Sequence, residues 1–127
     1  MNAARRCFSE SLFLAVLIAG VTRTAFAHSF PAVESPSAGQ TMAAPPPQVS
    51  IKFDAPIEHL FADIQVLSVA GKNEALGTPE VSDDGYTLSI RLSDLRPGAY
   101  KVQWAVVCID THHTNGSYEF TIAGSGA

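Results

Sequence analysis

Cysteine is scarce in this chain: two residues in 127, Cys7 and Cys108. Basic side chains are few as well, 8 Lys and Arg against 12 Asp and Glu, and they are scattered. That distribution supplies no positive stripe for a nucleic-acid backbone, so nucleic acid is excluded as a partner. The longest apolar run, Leu12 to Val21, falls well short of the ~20 residues that a membrane-crossing helix needs. No segment repeats apolar residues at the helical interval, which leaves strands and turns as the expected elements.

What the N-terminal segment does have is the pattern of a secretory signal peptide. Arg5 and Arg6 precede the apolar run, and Ala25-Phe26-Ala27 ends it with small residues at alternating positions. Residues 1–27 are therefore expected to be removed, leaving one domain, His28 to Ala127. Export and an oxidising compartment follow, with no membrane insertion after cleavage. Cys7 leaves with the signal, so no internal disulfide can form. Cys108 is expected to be buried as a small hydrophobe. Within 28–127 five basic residues (Lys52, Lys72, Arg91, Arg96, Lys101) face eleven acidic ones.

Turn signals divide this domain into short strands. His28 to Val33 reads as a first strand, and Glu34 to Pro47, ending in three prolines, as a loop. Val49, Ile51 and Phe53 alternate with polar neighbours, the period of a strand covered on one face. A strand over about 62–69 alternates imperfectly, because Ile64 and Val66 share one parity and Leu67 and Val69 the other; a bulge or burial of both faces would explain it. A short strand near Pro79 to Ser82 precedes the turn Asp83-Asp84-Gly85. Tyr86 to Leu92 and Ala99 to Ile109 alternate clearly, with Tyr100, Val102, Trp104, Val106 and Cys108 on one side. Asp110 to Asn115 reads as a loop, and Tyr118, Phe120 and Ile122 mark the last strand. Six or seven strands at this spacing predict an all-β antiparallel sandwich or small barrel.

All four histidines lie in the processed domain, and His28 would be its first residue. Cleavage there exposes an α-amine beside an imidazole, and the amine nitrogen and ring Nδ1 can close one chelate ring. Nitrogen donors and tetragonal geometry suit copper(II). The second cluster is Asp110-Thr111-His112-His113. If the chain stays extended, Asp110 and His112 point the same way. They could then offer a carboxylate oxygen and a ring nitrogen, completing a set of three nitrogens and one oxygen. Asp110 could instead orient a ring from outside the coordination sphere. His113 has the opposite parity and is at most a spare or axial donor, and His59 reads as a solvated turn residue. With Met42 the one methionine of the processed domain, a thioether-rich copper(I) site cannot be built. Asp83-Asp84 lacks the oxygen series of a calcium loop.

These residues, in this order, resemble the CopC/YobA family of periplasmic copper-resistance proteins. The likeness runs from Ala27-His28 through Glu34-Ser35-Pro36-Ser37-Ala38-Gly39 and Val49 to Glu58. It continues through Leu95 to Trp104, Asp110-Thr111-His112 and Gly116 to Phe120. It implies a seven-stranded Greek-key β-sandwich, immunoglobulin-like or cupredoxin-like in kind. It also implies one copper(II) site, carried over by position to His28, Asp110 and His112. The expected role is periplasmic sequestration of copper or its delivery, with an inner-membrane importer of the CopD type as a candidate partner, and not catalysis. Two departures stand out: Thr111 replaces the motif's glycine, and Cys108 stands where serine is common. The rival classes are a copper oxygenase, which lytic polysaccharide monooxygenases resemble in their N-terminal histidine, and an exported interaction module without metal.

Overall fold

The structure, a computed structural model, describes residues 29–124, so residues 1–28, including His28 and the expected signal peptide, lie outside it. Eight strands form two sheets, and no helix occurs among the described residues. They are β1 (Pro31–Ser35), β2 (Thr41–Met42), β3 (Gln48–Phe53), β4 (Asp63–Ser68), β5 (Ala75–Val81), β6 (Thr87–Leu92), β7 (Gly98–Val107) and β8 (His113–Ile122). One sheet runs β1-β3-β6-β5 and the other β2-β8-β7-β4. All pairings are antiparallel except β2 with β8. The chain changes sheet after β1, β2, β3, β4 and β6, as Greek-key connections require.

Alternation explains why these segments form strands, since each buries one face. β3 contributes Val49, Ile51 and Phe53, β6 Leu88, Ile90 and Leu92, and β4 Ile64 and Val66; β7 and β8 add Tyr100, Val102, Trp104, Val106, Tyr118, Phe120 and Ile122. The register sets these residues opposite one another, with Val49 facing Ile90, Ile51 facing Leu88 and Tyr100 facing Phe120. Phe53 meets Trp104 edge-on across the layers, with ring centroids 5.3 Å apart. Burial above all, with the Glu34 charge second, pushes the Tyr118 phenol far above its ordinary range.

Several expectations need correction. The strand count is eight, because the loop expected over 34–47 contains the two-residue β2, too short to show any period. β1 starts at Pro31, three residues later than expected. β5 is longer than the predicted Pro79–Ser82 segment, with a register irregularity between Leu76 and Glu80. In β4 neither a bulge nor double burial is needed: the strand stops at Ser68, and Val69 sits on the following turn, 86% exposed. β8 begins at His113, five residues before the first large apolar side chain, because the β7–β8 ladder runs unbroken to Val107–His113.

Candidate metal centre

The β7–β8 connection is tight. Cys108 N–H donates to the His112 carbonyl at 2.8 Å, and Thr111 N–H donates back to the Cys108 carbonyl at 2.8 Å. Closing so short a turn takes the chain through a left-handed residue, and Thr111 has φ 75°. Asp110 Oδ1 accepts the His112 N–H at 3.3 Å, the local bond that aspartate favours in turns. The side chains meet as well, with His112 Nδ1 3.0 Å from Asp110 Oδ2. Asp110 and His112 therefore come together, but not by the extended geometry expected from the sequence: a turn joins them.

Thr111 is the strained member of this loop. A β-branched residue in the left-handed region costs about 1–2 kcal/mol, which glycine avoids. Glycine gives back roughly 0.5–1 kcal/mol through its freer unfolded chain. Thr111→Gly is therefore expected to stabilise the fold by about 0.5–1 kcal/mol in urea denaturation. A loss of stability would mean that the exposed Thr111 side chain contributes more than its backbone costs.

The chain's entry into the sandwich lies at the same end. Ser29 is fully buried, and its N–H donates to Cys108 Sγ at 3.0 Å. Its hydroxyl donates to the Pro56 carbonyl at 3.2 Å, and its own carbonyl accepts from Thr114 Oγ1 at 3.0 Å. Phe30 and Asp54 follow with a reciprocal pair, Phe30 N–H to Asp54 Oδ1 at 2.8 Å and Asp54 N–H to the Phe30 carbonyl at 2.9 Å. Cys108, just after β7, is buried, as expected for a lone thiol. Sequence reasoning missed Ser29, Thr114 and Asp54, whose contacts link positions 24 to 85 residues apart.

Of the described histidines, neither His113 nor His59 joins the pair. His113 opens β8 opposite Val107, and His59 is exposed on the loop before β4. Among the described residues no three His, Cys, Asp or Glu side chains form a group able to hold a metal. The same end of the sandwich nonetheless collects mostly acidic side chains. Asp54, Glu58, Asp63, Asp83, Asp84 and Asp110 lie there with one base, Lys52, whose charge acts on Asp84, whereas Lys72, Arg91, Arg96 and Lys101 lie in the opposite half. Such an acidic end attracts cations. A hollow of about 640 Å³ at the far end mixes Lys72 and Arg96 with Glu74 and Asp94, so its charges offset one another.

Comparison with known proteins places the chain in a family. The profile of the CopC domain matches residues 32–123, nearly all of the described chain. The chain belongs to the CopC family. The resemblance read from its motifs is thereby shown. A curated relative, Protein YobA of Escherichia coli K12, is 30% identical over 104 residues, covering 80% of this chain and 84% of that protein. Copper transport protein CutJ of Bacillus subtilis is 26% identical over 113 residues, 87% of this chain but only 21% of that longer protein. Among solved structures, CopC from Methylosinus trichosporium OB3b is 32% identical with a TM-score of 0.69, covering 79% of this chain and 98% of that one. PcoC, a methionine-rich copper resistance protein from Escherichia coli, shares the fold at 24% identity and a TM-score of 0.66, over 76% and 99% of the two chains. These CopC neighbours confirm the all-β sandwich.

Proposed function

We propose that this protein binds one copper(II) ion after export to the periplasm and sequesters or delivers it there. The ligands in this reading are the His28 amine and Nδ1, an Asp110 carboxylate oxygen and the His112 ring. The observation that carries it is the burial of Ser29 against Cys108, whose backbone is hydrogen-bonded to His112. The Cα of the preceding residue can lie only about 3.8 Å from that of Ser29. This supports the reading in which a chain cleaved after Ala27 starts beside the Asp110–His112 turn.

The donor spacing also fits. Bonds of about 2.0–2.2 Å, as nitrogen and oxygen make to first-row divalent ions such as zinc, put two ligands at right angles about 2.8–3.1 Å apart. His112 Nδ1 and Asp110 Oδ2 stand 3.0 Å apart, within that range. Three nitrogens and one oxygen in a square favour copper(II) over copper(I), which prefers sulfur. The solved relatives named as CopC and as a copper resistance protein support copper as the cargo. CutJ, in which a domain like this one fills about a fifth of a copper transport protein, supports delivery to a membrane importer of the CopD type.

The test is spin resonance on protein beginning at His28, with one equivalent of copper(II). The spectrum should be tetragonal with hyperfine structure from three nitrogens, and His112→Ala should remove one of them. An unchanged spectrum in that variant would take His112 out of the site.

A further inference from the structure

Ser29 holds an unusual position for a residue so near a chain start. Among the described residues it is the one buried serine, threonine, amide or charged side chain, and its N–H, hydroxyl and carbonyl are all engaged. Apolar burial does not account for it, because its neighbour Phe30 is 53% exposed and β1 is an edge strand whose side chains are half-buried or exposed. The three partners come from three different segments: Pro56 after β3, Cys108 after β7 and Thr114 within β8. Thr114 stands two residues beyond His112, so one of these partners is tied directly to the turn that carries the proposed ligands. Bonds from three segments fix both the position and the direction of the backbone at Ser29.

We infer that Thr114, with Cys108, is a positioning residue for the metal site: together they clasp Ser29 so that the terminal chelate is aimed before copper arrives. The inference rests on the His28 reading given above. An unclasped terminus would have to be ordered at the moment of binding. The conformational entropy of fixing one residue corresponds to about a five- to thirtyfold loss of affinity. Thr114 is not itself a ligand in this reading. Its hydroxyl acts only through the Ser29 carbonyl, and valine has nearly the same shape without the donor.

The experiment compares copper(II) dissociation constants, measured by chelator competition, in four proteins. Wild type and Thr114→Val are each prepared beginning at His28 and each with one alanine added before His28. In the His28-start pair, Thr114→Val should weaken binding about five- to thirtyfold. In the extended pair, where the terminal chelate is already blocked, it should change nothing. Equal losses in both pairs would make Thr114 merely structural and overturn the inference. A wild-type affinity indifferent to the added alanine would overturn the His28 reading instead. An extension that weakens binding while Thr114→Val has no effect in either pair would overturn the clasp alone. Should Thr114→Val fold poorly, Thr114→Ser supplies the second variant. It keeps the donor and is expected to bind like wild type, and a loss as large as that expected for valine would overturn the role of the hydroxyl.

Discussion

One residue left ahead of His28 is expected to weaken copper(II) binding at least about a hundredfold, measured by competition titration against protein cleaved after Ala27. Changing a group that only supports a metal ligand typically costs about 10–100-fold in affinity. An N-terminal extension does more, because it converts the amine into an amide, which no longer offers a lone pair, and breaks the chelate that amine and Nδ1 form. It also adds bulk where the backbone is confined, since Ser29 is fully buried and bonded to Cys108, Pro56 and Thr114. The His28 ring would keep its nitrogen but lose its chelate partner, while Asp110 and His112 would remain, 3.0 Å apart. Their local geometry comes from the turn and does not depend on the terminus. A weak residual site is therefore expected, not a complete loss. Copper should correspondingly raise the melting temperature of the correctly cleaved protein much more than that of the extended form, because binding to the folded state adds to stability by mass action. Equal affinity in the two forms would remove His28 from the site.

The fold was legible wherever apolar residues alternate over five or more positions. Val49 to Phe53, Tyr86 to Leu92 and Tyr100 to Cys108 announced β3, β6 and β7 because one face of each is covered by the opposite sheet. The start of β8 was hidden for a physical reason. Thr114, Asn115, Gly116 and Ser117 pair with Val106, Ala105, Trp104 and Gln103, and on the buried side of that ladder the large apolar side chains, Val106 and Trp104, come from β7. β2 was hidden because two residues have no period.

The site was half legible. Cleavage chemistry singled out His28, and the spacing of Asp110 and His112 singled out the pair. The parity assumed for them was wrong, because Thr111 turns left-handed at φ 75° and the two side chains meet across a bend. The replacement of glycine by threonine pointed at that bend, since glycine in such a motif commonly marks positive φ. Ser29 and Thr114 left no trace in sequence. A serine or a threonine has no periodicity to betray a partner 85 residues away. Contacts of that kind follow from topology: Ser29 enters beside the end of β3, and that end lies across the sandwich from the β7–β8 turn.

Gly116→Ala tests how closely that end of the sandwich is packed. Gly116 lies opposite Trp104 in the β7–β8 ladder. A Cβ placed there would come within 2.6 Å of Trp104 Cζ2 and 3.0 Å of Cε2, both in the ring body. Two effects oppose each other. Alanine is favoured over glycine within a strand by roughly 0.5–1 kcal/mol, whereas forcing a methyl group into a packed core costs about 1–3 kcal/mol. Trp104 is 7% exposed and stands edge-on to Phe53, which is itself 1% exposed, so the ring has little room to withdraw. The clash should win, and the variant is expected to lose about 2 kcal/mol in urea denaturation. That corresponds to a fall in melting temperature of roughly 8–16 °C for a domain of this size. The cause can be isolated in a double-mutant cycle with Trp104→Phe, which removes the ring edge that the new methyl would strike. In that background the cost of Gly116→Ala should shrink and can change sign, because only the strand preference is left. An equal loss in both backgrounds would show that the strand backbone, and not the indole, requires glycine at this position.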